Sequence, residues 1–173
     1  MTETFQNNAE GGTNTTPVTT GNSGGASGDA WTAVSGAPTF TTVSPLDGSV
    51  SYLFSATATQ FLNWDGVAAW ADFAYYGYFD FPSNPVTSGH MLLGWRSLSA
   101  ALGNVFITTS GELTANAGTG GSSTSSPTAS LTAATRYRFE GQCTGWGTAS
   151  STHALQVYLG AATTPISSVS ATG

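Results

Sequence analysis

Asp72-Phe73-Ala74-Tyr75-Tyr76-Gly77-Tyr78-Phe79-Asp80-Phe81-Pro82 is the stretch on which the fold turns. Read with period two, it splits into two faces. Phe73, Tyr75, Gly77, Phe79 and Phe81 share one, and Asp72, Ala74, Tyr76, Tyr78 and Asp80 share the other. Aromatic alternation closed by a proline predicts a β-strand with its Phe face inward. Its length and aromatic content predict a place in the middle of a sheet. Two later stretches read as neighbours. Tyr137–Cys143 puts Tyr137, Phe139, Gly141 and Cys143 on one side and Arg138, Glu140 and Gln142 on the other. Val105–Thr109 and Glu112–Thr114 flank Ser110-Gly111, which reads as a tight hairpin.

Outward from there the same period recurs. Ala30–Val34, Thr39–Val43 and Thr59–Trp64 are strand candidates, and Pro17–Thr20 is a shorter one. Ser49–Ser55 points Val50, Tyr52 and Phe54 one way. His90–Ser97 is apolar on both faces, which predicts cover on both. Thr152–Leu159 points Leu155, Val157 and Leu159 inward, and Pro165–Ser170 reads as a last strand. Ser99–Leu102 is the one stretch that reads as a helical turn. Ala117–Thr128 is a Gly/Ser/Thr run that reads as a surface loop. No segment carries a sustained helical period. Many short strands separated by turns predict an all-β fold, a two-sheet antiparallel β-sandwich of jelly-roll type. Residues 1–30 read as a Gly-rich N-terminal strand and loop, anchored at Phe5, that is either part of the same domain or an arm ordered by association. Residues 31–173 read as the sandwich.

Composition excludes several functions. Charged residues make up 7% of the 173-residue chain, against about a quarter in ordinary domains. Lysine is absent, Arg96, Arg136 and Arg138 are the only strong bases, and the net charge is −6. Three arginines cannot displace the counterions of a nucleic acid or hold an anionic membrane surface. No run is long enough to span a bilayer as a helix. The first residues carry neither a basic nor an apolar signal region. Cys143 is alone, so an intramolecular disulfide is excluded, and its parity predicts a small buried hydrophobe. His90 and His153 read as isolated surface groups, away from that thiol.

Several stretches in order carry a family resemblance: Glu10-Gly11-Gly12-Thr13-Asn14, Asn22–Ala30, Tyr76-Gly77-Tyr78-Phe79, Ser110-Gly111-Glu112-Leu113, Arg136–Glu140 and Leu155–Leu159. Together they resemble the concanavalin-A/laminin-G-like jelly-roll proteins of actinobacteria and their phages, among them minor tail and other virion proteins. The resemblance implies a non-enzymatic protein on the particle surface, in contact with other virion proteins and with copies of itself, and able to attach to a host-surface glycan. Manufacture in the cytoplasm and release by lysis would fit a β protein without a leader or disulfide. Relatives continue into an Asp-bearing strand. Ending at Gly173, this sequence predicts a fragment or a sheet completed by another chain.

Catalytic patterns are missing. Glycoside hydrolysis needs two carboxyl groups about 5 to 9.5 Å apart. Asp72 and Asp80 share a face but lie eight residues apart, about 26 Å at strand rise. No Gly-x-Ser-x-Gly elbow occurs. Glu10, Asp29, Asp47 and Asp65 lie in turns and carry the oxygens that calcium prefers, yet acids in turns commonly serve the turn itself; no cofactor is expected. Sugar binding uses flat rings and planar polar side chains. The outward face offers Tyr76, Tyr78, Arg138, Glu140 and Gln142; Tyr76, Tyr78, Arg138 and Gln142, with Trp146 in an exposed-looking turn, are the carbohydrate-binding candidates, the alternative being that Tyr76 and Tyr78 are half-buried sheet residues under a loop or a neighbouring subunit. Trp31, Trp64, Trp70 and Trp95 read as core or interface. A free carbohydrate-binding module is the alternative function.

Overall fold

The computed structural model describes residues 6–25, 28–55, 59–64, 71–85, 88–97, 100–117, 123–124, 128–146 and 148–173, with 95–97, 100–102 and 123–124 described by backbone alone. Phe5, Asp65 and Trp70, the Trp95 side chain and the start of the expected N-terminal strand lie outside the described residues. Regular structure among the described residues is all β, and every pairing between strands is antiparallel. The chain divides into two compact units, residues 1–68 and 69–173.

Among its described residues the first unit holds four three-residue strands. β1 (Ala33–Ser35) pairs with β4 (Phe61–Asn63), and β2 (Thr39–Thr41) pairs with β3 (Ser51–Leu53). Strands this short bury little, so side-chain bonds to backbone take a larger share of the work. The Glu10 carboxylate accepts the Ser49 and Val50 N–H groups at 2.7 and 3.0 Å. The Asn7 amide donates to the Ser23 and Asp29 carbonyls and accepts the Tyr52 hydroxyl. Ala9, Val18, Phe40 and Val50 form the core, with Trp31 and Tyr52 packed on it. Pro17 makes a single bridge to Thr39, the remnant of the strand expected over Pro17–Thr20. Residues 6–25 are thus bonded into the same unit as 31–63.

Among its described residues the second unit holds two four-stranded sheets. One has the order β12 (Ser167–Thr172), β11 (Thr152–Leu159), β10 (Tyr137–Thr144), β5 (Phe73–Phe79). The other has the order β6 (His90–Ser97), β7 (Ala100–Ile107), β8 (Leu113–Ala117), β9 (Ser123–Thr124). Phe79, Tyr137, Phe139, Leu155 and Val157 of the first sheet share one buried cluster with Val105, Ile107, Leu113 and Ala115 of the second. This sandwich-like packing follows from period two, because β5, β8, β10 and β11 each turn an apolar face to the cluster. The β7–β8 hairpin lies where the sequence places it but with a longer turn: the paired strands end at Ile107 and Leu113, Glu112 O accepts Thr108 N–H at 2.8 Å, and Gly111 takes φ +76°.

Two glycines set the packing of the first sheet. Gly77 lies opposite Phe139, and Gly141 opposite Tyr75. A Cβ on Gly141 would stand 2.2 Å from the Tyr75 ring, and one on Gly77 2.9 Å from the tip of Phe139. Each ring lies over the glycine across from it, which is why both glycines occupy inward positions of aromatic strands.

The structure corrects several expectations about the strands. Phe73–Phe79 is an edge strand among the described residues, paired with β10 alone; its aromatic face is buried by the opposite sheet, which does not require a strand on each side. Ala100–Leu102 opens a strand and not a helical turn, with Ala100 paired to Ser97. Met91 is 59% exposed, so β6 is not covered on both faces. Leu159 is 51% exposed, because the last position of β11 runs past the core.

Candidate functional site

Alternation leaves one face of the β12-β11-β10-β5 sheet turned away from the core, and register aligns its side chains in rows. Ala74, Gln142, Ala154 and Ser170 form one row; Tyr76, Glu140, Gln156 and Ser168 form the next. Tyr78, Arg138 and Tyr158 form a third. The first two rows line an open, shallow depression of about 940 Å³. Tyr76 stands at its β5 margin with 72% of its surface exposed.

The third row lies beside the second. The Arg138 guanidinium lies 4.4 Å from the Tyr158 ring centroid, donates to Ala162 O at 3.1 Å, and places Nε 3.0 Å from Glu140 Oε1. Arg136 lies over Tyr78 at 5.7 Å. The Tyr158 hydroxyl donates to Gln156 Oε1 at 2.8 Å, which leaves the Gln156 NH2 as the donor end of that amide. Small residues in the first row and ring, carboxylate, amide and hydroxyl side chains in the second make an open surface with one ring at its margin and polar groups across it.

Of the residues the sequence singles out for sugar binding, Tyr76, Tyr78, Arg138 and Gln142 come together on this face. Trp146 does not. Its backbone N–H donates to Ala71 O at 2.7 Å, and its ring is 7% exposed, 5.6 Å from Phe73 and 5.9 Å from His153 on the inward side. The turn folds back over the core and does not project from it. Glu140, which the sequence places on the same outward face, and Gln156, which it does not single out, complete the second row.

A second polar cluster lies inside. His153 has no exposed surface and sits directly across from Cys143 on the neighbouring strand, which corrects the expectation of an isolated surface histidine. Its Nδ1 lies 2.9 Å from Asn116 O, and its Nε2 lies 2.5 Å from the Tyr75 hydroxyl. A carbonyl only accepts, so Nδ1 carries the proton and Nε2 accepts from the tyrosine. Burial lowers the His153 pKa from 6.5, against a raising effect from the Asn116 carbonyl, so the neutral form is favoured. Burial also pushes the Cys143 thiol up to about 12. A protonated, buried thiol is a packing group and not a nucleophile.

The turn acids serve the backbone. Glu10 caps Ser49 and Val50, which holds its carboxyl below the usual range, and Asp29 accepts the Gln6 N–H at 3.0 Å. Asp47 and His90 are exposed, and Asp65 lies outside the described residues. Among the described residues no three His, Cys, Asp or Glu side chains cluster as metal ligands would. Comparison with protein-family models, with curated proteins and with solved structures finds no match.

Proposed function

We propose that this chain is a non-enzymatic, lectin-like surface protein whose second unit is a jelly roll of the concanavalin-A type, and that it attaches to glycans through the outward face of the β12-β11-β10-β5 sheet. The observation that carries this reading is Tyr76, an exposed ring at the margin of two rows that carry amides, hydroxyls and one carboxylate. Flat rings beside planar polar groups match the apolar faces and hydroxyl edges of sugars. The low charge of the chain fits a neutral extracellular ligand better than a nucleic acid. The resemblance to phage tail proteins extends the proposal to placement on a virion surface, among other virion proteins and as a homo-oligomer, with a host glycan as target. A free carbohydrate-binding module would use the same face, since the rows lie within one unit.

A glycan array with the wild type and Tyr76→Ala tests the binding. Specific signal lost in the variant supports it; silence of the wild type rejects it. Antibody labelling of purified particles under the electron microscope tests the placement: labelled particles support the virion, and bare particles leave the free module.

A further inference from the structure

The polar groups of this face also bear on which glycans it accepts, an inference that rests on the reading of the face as a sugar site. Among the described residues lining the depression, Glu140 is the only one with a charge. Its side chain is 42% exposed, against 16% for that of Arg138. The guanidinium is turned into the Tyr158 ring and the Ala162 carbonyl. A ligand in the depression therefore meets the carboxylate and not the cation. The remaining groups, the Gln142 and Gln156 amides and the Ser168 and Ser170 hydroxyls, are neutral.

We infer that the face selects uncharged glycans and discriminates against acidic ones, with Glu140 as the residue that sets the preference. Sugar hydroxyls donate to the Glu140 carboxylate, and the Gln156 NH2 donates to sugar oxygens. A uronate, sulfate or phosphate group placed beside Glu140 meets a like charge that Arg138, with Nε 3.0 Å from Glu140 Oε1, offsets only in part, which costs up to about fivefold in binding at this water-screened position. Tyr76 supplies the single exposed ring, because Tyr78 lies under Arg136. One sugar ring stacks, and its neighbours lie across the amide and hydroxyl rows.

The test is an array of matched pairs, each neutral hexopyranose oligosaccharide printed beside its uronic-acid counterpart. The wild type is expected to bind neutral members up to about fivefold above their acidic partners, and Tyr76→Ala to abolish both signals. Glu140→Gln removes the carboxylate and releases Arg138, so it is expected to raise the acidic members to at least the level of the neutral ones. Gln142→Glu, on an exposed position that does not bear on folding, is expected to widen the wild-type discrimination. Acidic members bound by the wild type as well as neutral ones, with both lost in Tyr76→Ala, would overturn the selectivity and leave the sugar site standing. Binding that ignores Tyr76→Ala, or no binding at all, would remove the site and the selectivity together.

Discussion

Gly141→Ala is the substitution for which the structure makes the largest claim. The new Cβ would lie 2.2 Å from both the Cζ and the hydroxyl oxygen of Tyr75, far inside van der Waals contact. Tyr75 must move, and it is fixed from several directions. Its hydroxyl donates to His153, its ring is 5.7 Å from the His153 ring, and it is 6.0 Å from Phe139. Overpacking of this kind costs about 1–3 kcal/mol, and loss of the buried hydrogen bond adds about 1 kcal/mol. The sum, about 2–4 kcal/mol, corresponds to a fall in Tm of roughly 4–16 °C for a chain of this size. Thermal and urea denaturation measure it, and near-ultraviolet circular dichroism reports the displaced tyrosine. Gly77→Ala, whose Cβ would stand 2.9 Å from the tip of Phe139, should cost less. The Gly141→Ala/Tyr75→Phe double variant should lose clearly less than the sum of the singles, because both act on one contact. An unchanged Tm in Gly141→Ala, or strict additivity in the double variant, would refute the packing described for this sheet.

Composition alone predicts weak dependence of stability on pH, but two groups change that. Burial holds the folded His153 pKa below 6.5, so the unfolded chain takes up the proton first; the stabilising contribution is complete above that value and declines as pH falls toward the folded pKa. Glu10, lowered from 4.5 by the Ser49 and Val50 N–H groups, adds stability that is present above 4.5 and lost as pH falls through its folded pKa. Thermal midpoints measured across this range should therefore drop in two stages, and a flat profile would contradict both assignments. Cys143 should resist a thiol reagent in the native protein and react only on unfolding, as followed by absorbance; fast labelling of the folded chain would contradict its burial. Tyr76→Ala should leave stability within about 0.5 kcal/mol, because the ring contributes to the surface and not to the core; a large loss in denaturant titration would make it a structural residue.

What the sequence reveals here is local, and what it hides is long-range. The parity of Phe73, Tyr75 and Phe79, of Tyr137, Phe139 and Cys143, and of Leu155 and Val157 assigns inward and outward faces correctly, because period two is a property of the strand itself. The same parity puts His153 with Leu155 and Val157 on the inward face, a signal that polarity obscures until the Tyr75 hydroxyl and Asn116 carbonyl are seen to satisfy both ring nitrogens. Whether Phe73–Phe79 is central or at an edge depends on partners distant in sequence. Tyr76, Tyr78, Arg138 and Gln142 are found as a face because they alternate, but their alignment with Gln156 requires the β10–β11 register. Trp146 misleads because the glycines beside it suggest a projecting turn; its contact with Phe73 joins positions 73 residues apart.

Amide chemical-shift mapping of the isotope-labelled protein, titrated with the neutral oligosaccharide that gives the strongest array signal, tests the central claim most directly. The account predicts shifts concentrated at Ala74, Tyr76, Glu140, Gln142, Gln156, Ser168 and Ser170, absent from the β6–β9 sheet and abolished by Tyr76→Ala. Shifts centred on any other surface, with these seven amides unmoved, would contradict it.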